Sequence, residues 1–287
     1  MVMKKIMLAL SLVLFTQAGF AQGYVDQKAV SPLLRTQGSS TAPEPVQWHV
    51  YTFPKSAKTA KARLAALQNH IDSLPGDLKA HRMEVIELSN RAARKYFSQK
   101  NQLIVPDVFV ADFRAFSPYP ARWNEAADLP KVFVIDKYTQ TFGAYEAGNL
   151  VRWGLVSTGN DANETPAGRF AFGWKAEERN SSEAPAGETW TMRWVYNFYP
   201  ERGIHVHQYS LPIAQNVSHG CVRMAETEAN WNYSWAEKGT PVLVINYNPF
   251  GLASHWQVSG TSVFSGIMLP LSPTDVPVGG GKVAVRD

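Results

Sequence analysis

The sequence predicts a mainly β fold, a sandwich or barrel-like domain with one late helix, preceded by a small α-helical region. Short β-prone segments bounded by turn residues follow one another through residues 129–248. In that half only residues 227–238 have helical spacing, with Trp231 and Trp235 one turn apart and Gly239 placed to end the helix. Many short strands with a single helix are typical of a β-sandwich or barrel.

The N-terminus has the pattern of a secretory signal peptide. Lys4 and Lys5 precede an apolar run, and small residues at Gly19 and Ala21 suit cleavage after Ala21. The run is too short to cross a bilayer, so an uncleaved anchor is the less favoured alternative. We therefore expect residues 1–21 to be removed and the mature chain to have no transmembrane segment.

Two regions separate this signal from the β-rich half. Residues 22–55 are rich in Gln, Ser, Thr and Pro without a periodic pattern, which predicts a linker or a loosely docked arm. Residues 56–128 show apolar residues at three- and four-residue steps on both sides of Pro75-Gly76. This spacing predicts two amphipathic helices, and their polar faces carry no recognisable chemistry.

The β-rich half begins with an apolar run over residues 132–135, of the kind buried on both faces of a sheet. Residues 141–157 read as a hairpin with its turn at 146–149. Further strand candidates are residues 170–174, 194–199, 203–207 and 242–245. The tail, residues 249–287, has weak periodicity and no predicted element.

Composition excludes several classes of protein. Apolar residues make up 45% of the 287 residues and charged residues 18%, which suits a folded core. The net charge is +4, and without Lys4 and Lys5 the 28 basic residues become 26 against 24 acidic ones. Nucleic-acid binding driven by bulk charge is therefore not expected. A single cysteine excludes an internal disulfide and a zinc site with several thiolates.

The residues with the most chemical potential lie close together in sequence. Three of the seven histidines and the only cysteine fall between His205 and Cys221. An imidazole beside a thiol lowers the thiol pKa and carries its proton, so we expect an unusually acidic Cys221. On a strand, His205 and His207 would point to the same face, and His219 lies two residues before the thiol.

The neighbours of Cys221 favour catalysis over a metal site. Gly220 leaves the backbone next to the sulfur open, so that N–H groups can bind an oxyanion. Arg223 carries a forked guanidinium suited to a carboxylate. The alternative is a metal-binding domain, because four side chains offer ligands at short spacing. These are His205, His207, His219 and Cys221.

The same residues resemble a known family, the L,D-transpeptidase catalytic domain, also called YkuD-type. Its signature is a histidine, a spacer of ten or more residues, then Ser/Thr-His-Gly-Cys, an apolar residue and Asn or Arg. Residues 218–223 read Ser-His-Gly-Cys-Val-Arg and fill every position. The segments Ser-Thr-Gly at 157–159, Thr-Pro-Ala-Gly-Arg-Phe at 165–170 and Gly-Thr-Pro-Val at 239–242 resemble other parts of that domain. A wall-binding module with a dead site is disfavoured, since no position of the nucleophile motif is substituted.

One departure concerns the first histidine, which family members commonly follow with Gly. Here Val206 follows His205 and Gln208 follows His207. Members often enter this strand with Gly, three residues and then His. Gly203 gives that offset for His207, so His207 is favoured as the base and His205 stays the alternative.

The resemblance implies a periplasmic or cell-wall enzyme acting on peptidoglycan stem peptides, without metal or cofactor. It implies that Cys221 attacks the carbonyl before the terminal D-Ala, and that the acyl group passes to an amine on a neighbouring stem. An amine on an outer-membrane lipoprotein or a water molecule would make the enzyme a lipoprotein-anchoring or releasing enzyme or an L,D-carboxypeptidase. His219 would orient the site, Gly220 and Cys221 N–H groups would hold the oxyanion, and Arg223 and Ser218 would bind substrate.

Overall fold

A computed structural model describes residues 23–38 and 41–245 of the chain. The predicted signal peptide, residues 1–21, and the predicted tail, residues 249–287, lie outside the described residues. The helices are α1 (Gln27–Leu34), α2 (Ala60–Ser73), α3 (Arg82–Ser89) and α4 (Glu226–Trp235). The strands are β1 (Trp48–Thr52), β2 (Gln102–Pro106), β3 (Lys131–Asp136), β4 (Thr141–Glu146), β5 (Asn149–Ser157), β6 (Gly168–Ala171), β7 (Lys175–Asn180), β8 (Thr191–Tyr199), β9 (Ile204–Gln208), β10 (Val222–Met224) and β11 (Pro241–Ile245).

Nine of these strands form one mixed sheet in the order β6-β11-β3-β4-β5-β10-β9-β8-β7. Most neighbours are antiparallel, but β11 runs parallel to β3 and β10 runs parallel to β9. Strands β1 and β2 make a separate antiparallel pair. The predicted mainly β class with one late helix is confirmed. None of the helices within the described ranges has the length and apolar character needed to cross a membrane.

The buried strands were the most predictable elements, since β3, β4 and β5 follow the apolar runs of the sequence. Strand β7 was not predicted, because its residues Lys175–Asn180 are almost all polar and exposed. It is an edge strand whose position is fixed by pairing with β8. Apolar periodicity cannot reveal a strand that buries no side chains.

Residues 22–55, for which the sequence predicts a linker or a loosely docked arm, contain α1 and β1. Asp26 caps α1 by accepting hydrogen bonds from the backbone N–H groups of Lys28 and Ala29. The helix buries Val30, Leu33 and Leu34. Eight residues with an internal proline give little periodic signal, so packing against the rest of the molecule decides this helix.

The hydrophobic core continues across residue 129, the predicted boundary of the β-rich domain. One cluster joins buried side chains of the N-terminal elements, such as Phe97 and Phe113, to Trp153 and Leu155 of β5. A second cluster lies around Phe133, Tyr196 and Val206 and includes Ala229 of α4. The N-terminal helices therefore share a core with the nine-stranded sheet.

Candidate active site

The chemistry-bearing residues meet where β9 and β10 run side by side. Parallel pairing sets Val222 beside Val206 and Arg223 beside His207. Side chains two residues apart on a strand share a face, so His205, His207 and Arg223 lie on one face of the sheet. Cys221 immediately precedes β10 at the same place. As the sequence predicted, both histidines reach the same cleft as the cysteine.

The cleft has a second wall that sequence reasoning missed. It is formed by the connection between β7 and β8 and by adjoining strand residues, including Arg179, Ser181, Glu183, Trp190 and Met192. The exposed ring of His219 lies 5.6 Å from the ring of Trp190, which links this wall to the motif. The connection carries no motif, so no sequence signal could have identified this wall of the cleft. The position of the connection follows from the pairing of β7 with β8.

The nucleophile turn, residues 218–221, is held by its own hydrogen bonds. The Ser218 hydroxyl donates to the carbonyl of Cys221 and accepts from the N–H of Gly220 at 3.1 Å. Gly220 has φ +113°, a conformation that favours glycine. Both groups are therefore used inside the turn, and the geometry favours scaffolding for Ser218 and the Gly220 N–H over the substrate and oxyanion contacts predicted from sequence.

A second segment, residues 158–165, supports this turn through hydrogen bonds. Thr165 donates its hydroxyl to the carbonyl of Gly220 at 2.7 Å and accepts from the N–H of Gly159 at 2.8 Å. Backbone hydrogen bonds join Ser218 to Thr158 and Asn160. At Gly159 an added Cβ would lie 2.0 Å from the Asn163 carbonyl oxygen, so only glycine fits. The Ser-Thr-Gly and Thr-Pro motifs thus position the cysteine.

His207 lines the cleft, and a backbone contact determines which of its ring nitrogens carries the proton. Its side chain is buried, and Nδ1 lies 2.9 Å from the carbonyl oxygen of Gln208. A carbonyl only accepts, so Nδ1 carries the proton and Nε2 has the lone pair. Burial lowers the pKa of His207 to about 4, while the contact with Gln208 opposes this shift. The imidazole is therefore neutral and able to accept a proton.

His205 has the opposite arrangement of its ring nitrogens. The Asn197 amide Nδ2 lies 3.0 Å from Nδ1 of His205 and 3.0 Å from the carbonyl oxygen of Ile204. The amide nitrogen donates to both, so Nδ1 of His205 is an acceptor and the ring proton lies on Nε2. Burial and the charge of Arg179 lower the pKa of His205 to about 4. This ring is neutral but has no free lone pair.

The thiol of Cys221 does not have the low pKa expected from the sequence. Burial raises the pKa of Cys221, and the negative charge of Glu183 raises it further. The backbone N–H of His205 and the charge of Arg223 lower the pKa, but burial is the larger effect. The sulfur lies 3.9 Å from the carbonyl oxygen of Gly203, which suits a protonated thiol as donor. The expectation is wrong because both neighbouring imidazoles are neutral and provide no positive charge.

Arg223 is one of three arginines that line the cleft, with Arg179 and Arg202. Its guanidinium carbon stacks 4.9 Å above the ring of Tyr209, and its side chain is half-buried. Burial lowers its pKa, but a guanidinium stays charged at neutral pH. Within residues 23–38 and 41–245 no carboxylate forms an ion pair with Arg223. A forked guanidinium of this kind is able to bind a carboxylate through two hydrogen bonds.

The alternative of a metal site finds no geometric support. In the part of the chain that the structure describes, no three His, Cys, Asp or Glu side chains are arranged to hold a metal ion. The Nδ1 atoms of His205 and His207 are both occupied by hydrogen bonds. The four predicted ligands line one cleft without converging on one point.

The fold and the cleft together define a mainly β domain that brings Cys221, two neutral histidines and Arg223 together. Residues 130–244 match the family model described as the L,D-transpeptidase catalytic domain. These residues are therefore similar to the L,D-transpeptidase catalytic domain, the family that the sequence resembles. No curated protein sequence matches the chain significantly.

Several solved structures resemble the chain. An L,D-transpeptidase from Mycobacterium smegmatis is 24% identical, with a TM-score of 0.37 over 40% of this chain and 58% of its own. The catalytic domain of an L,D-transpeptidase from E. faecium is 23% identical, with a TM-score of 0.33 over 40% of this chain and 96% of its own. L,D-transpeptidase 3 from Mycobacterium tuberculosis, in complex with a faropenem-derived adduct, is 19% identical, with a TM-score of 0.37 over 72% of this chain and 95% of its own. The match with the M. smegmatis protein thus spans less than two thirds of that protein's length.

Proposed function

We propose that this protein is an exported cysteine L,D-transpeptidase that cross-links peptidoglycan stem peptides. The observation that carries the proposal is the placement of Cys221, His207 and Arg223 in one cleft of a domain that matches this family, with no carboxylate of the described residues paired with Arg223. A thiol, a proton acceptor and a carboxylate anchor are what acyl transfer from a D-amino-acid terminus requires.

In the first half-reaction, the Cys221 sulfur attacks the carbonyl between the third stem residue, a diaminopimelate, and the terminal D-Ala. A C–S bond forms and the C–N bond to D-Ala breaks, which leaves a thioester. His207 takes the thiol proton on Nε2 and returns it to the departing amine. In the second half-reaction, an amine of a neighbouring stem attacks the thioester, a C–N bond forms and the C–S bond breaks. His207 takes a proton from the amine and gives it to the departing sulfur, which restores the thiol.

The resting pair of Cys221 and His207 is neutral. The raised thiol pKa and the low pKa of His207 both disfavour a thiolate–imidazolium ion pair. The proton therefore moves to His207 as the sulfur attacks, which is general-base catalysis rather than attack by a preformed thiolate. Since the Gly220 N–H is bonded to Ser218, the N–H of Cys221 is one backbone donor available for the oxyanion.

Arg223 supplies the substrate anchor. The stem peptide ends in a carboxylate, and the diaminopimelate side chain carries another. A half-buried guanidinium without a carboxylate partner in the described ranges offers two parallel hydrogen bonds to either group. Its position beside His207 places a bound carboxylate next to the reacting sulfur.

The acyl acceptor distinguishes three activities of the same acyl-enzyme. An amine of a second stem gives transpeptidation, water gives an L,D-carboxypeptidase, and a lysine of an outer-membrane lipoprotein gives a lipoprotein-anchoring enzyme. The family match favours the first. Export to the periplasm or cell wall is proposed on the pattern of Lys4, Lys5 and the following apolar run, and N-terminal sequencing of the mature protein tests it.

The deciding experiment incubates the purified protein with tetrapeptide muropeptides and identifies the products by mass spectrometry. We expect loss of D-Ala, a thioester on Cys221 and cross-linked dimers. Cys221→Ala should form none of these while circular dichroism shows a native fold. Unchanged product formation by Cys221→Ala would overturn the assignment of the nucleophile, and tripeptides without dimers would indicate the carboxypeptidase.

The two histidines are separated by comparing His207→Ala with His205→Ala. His207→Ala should lower the acylation rate by about two to four orders of magnitude, the usual effect of removing positioned proton transfer. It should also slow alkylation of Cys221 at neutral pH, because the thiol loses its proton acceptor. If only His205→Ala slows alkylation, the base is His205.

A further inference from the structure

His205 is a second buried histidine that the acyl-transfer cycle above leaves without a role. We propose that His205 donates a hydrogen bond from Nε2 to the oxyanion of the tetrahedral intermediate, and that Asn197 is the positioning residue that keeps the proton on that nitrogen. This inference rests on the proposed acyl transfer at Cys221. It gives the two histidines different tasks, with His207 as proton acceptor and His205 as uncharged donor.

The orientation of the Asn197 amide carries the argument. Asn197 on β8 is fully buried and is the register partner of His205 on β9. Its Nδ2 donates to the Ile204 carbonyl and to His205 at 3.0 Å each, while Oδ1 has no hydrogen-bond partner among the described residues. Flipping the amide would place Oδ1 against the Ile204 carbonyl oxygen, which is repulsive. The Ile204 carbonyl therefore fixes Nδ2 toward His205.

This contact determines what His205 is able to do. With Nδ1 accepting from Asn197, the ring proton lies on Nε2. A neutral imidazole in this form donates a hydrogen bond but does not release its proton, because release would leave an imidazolate. Its low pKa keeps the ring uncharged at neutral pH. A neutral imidazole acting as hydrogen-bond donor is an established way to polarise a carbonyl.

The site needs such a donor because one backbone N–H group beside the cysteine already has a hydrogen-bond partner. The Gly220 N–H, the expected first donor of the oxyanion hole, is bonded to the Ser218 hydroxyl. His205 lines the same cleft as Cys221, and its backbone N–H lies beside the sulfur. The ring of Trp174 packs against the imidazole in a T-shaped contact, with 4.9 Å between the ring centroids. This contact restricts rotation of the imidazole. The structure thus offers a buried side-chain donor in the cleft that holds Cys221.

The tautomer is tested directly by ¹⁵N NMR of the histidine ring nitrogens. In the wild-type protein, the His205 proton should be on Nε2. In Asn197→Asp, a carboxylate accepts from the ring, so the proton should move to Nδ1. A wild-type proton on Nδ1, or a tautomer unchanged in Asn197→Asp, would overturn the positioning role. If Asn197→Asp does not fold, Asn197→Ala serves instead: a mixture of tautomers supports the role and a single Nε2–H form overturns it.

The donor role is tested with two small reagents on Cys221. An activated ester such as p-nitrophenyl acetate reacts through an oxyanion, with C–S formation and loss of p-nitrophenolate, whereas iodoacetamide alkylates the sulfur without one. His205→Phe should slow the ester reaction by about 100-fold, the usual loss for one oxyanion donor, and leave alkylation unchanged. His205→Gln, which retains an N–H, should recover part of the loss.

Two results would contradict the donor role. An unchanged ester rate in His205→Phe would show that no hydrogen bond to the oxyanion is lost. Equal losses with both reagents would show that His205 acts on the thiol and not on the oxyanion. Neither reagent depends on the stem peptide, so failure of the wild-type protein to process muropeptides would overturn the proposed substrate while these measurements still decide the role of His205.

Discussion

At the scale of single residues, Cys221 and His207 form a neutral pair whose protonation is set by burial. The thiol pKa is raised and the imidazole pKa is about 4. A cysteine that is stored as the thiol is protected from unwanted alkylation and oxidation, since the thiolate is the reactive form. In the proposed reaction, proton transfer to His207 couples activation of the sulfur to the arrival of substrate.

This leads to a prediction for the pH dependence of alkylation. The reaction of Cys221 with iodoacetamide should increase with pH, with a midpoint above the ordinary thiol value of about 8.5, because burial disfavours the thiolate. The measurement is the alkylation rate across pH, followed by mass spectrometry of the labelled peptide. A midpoint below about 8.5 would show that a positive charge reaches the sulfur and that the pair is ionised.

A second residue-scale prediction concerns Arg223. Arg223→Lys keeps the charge but loses the fork that holds a carboxylate bidentately, so acylation by stem tetrapeptide should fall about tenfold or more. Alkylation by iodoacetamide, which has no carboxylate, should be unchanged. Arg193→Lys, at an exposed position on β8, is the matched control and should retain the wild-type rate. A wild-type acylation rate in Arg223→Lys would leave Arg223 with a structural role only.

At the scale of elements, the position of the cysteine depends on a turn supported by a distant segment. Thr165 joins Gly159 to Gly220 through one hydroxyl, and Ser218 closes the turn from within. These contacts explain why the Ser-Thr-Gly, Thr-Pro and Ser-His-Gly-Cys motifs occur together in this chain. They share one hydrogen-bonded framework.

We predict that Thr165→Val destabilises this framework. The change is nearly isosteric but leaves the N–H of Gly159 and the carbonyl of Gly220 unsatisfied, at about 1–3 kcal/mol for each buried group. Urea unfolding should show a loss of that order, and both acylation and alkylation of Cys221 should slow. Thr191→Val, which removes an exposed side-chain hydrogen bond to Asn180, should change neither. Full stability and activity in Thr165→Val would contradict the supporting role.

At the scale of the whole molecule, the N-terminal elements and the β-rich domain are held together by buried polar contacts as well as by the shared core. Arg152 of β5 forms an ion pair with Glu228 of α4, Nε to Oε2 at 2.6 Å, and both side chains are buried. The same guanidinium donates to the carbonyl of Leu34 at the end of α1 and stacks on Trp231. One side chain thus connects α1, the sheet and α4.

Glu228→Gln should therefore lower the free energy of unfolding by about 3–5 kcal/mol, because it leaves the Arg152 charge buried without its partner. The double variant Arg152→Met with Glu228→Leu should recover most of this loss, since an apolar pair of similar volume removes the uncompensated charge. Urea denaturation measures both. Glu178→Gln, which alters an exposed contact with Arg193, is the control and should have no measurable effect. A double variant as unstable as Glu228→Gln would contradict this account.

The sequence by itself predicted the buried strands and a group of residues that the structure brings into one cleft. Residue type and spacing selected Cys221, the two histidines of β9 and Arg223, because the motif is local and the strand alternates its faces. Strands such as β3 and β5 were identified because their burial on both faces leaves a continuous apolar run. Both kinds of information are short-range, and a single sequence contains them completely.

Only the tertiary structure decided the tautomer of His205, the protonation of Cys221 and the helix at residues 27–34. Asn197, eight residues away from His205, fixes its tautomer, and burial rather than sequence neighbours sets the thiol pKa of Cys221. Packing against α4 and the sheet makes a helix of a segment that the sequence alone predicts to be a linker. Protonation, tautomer and marginal helices depend on partners distant in sequence and on exclusion of water, and neither is present until the chain has folded.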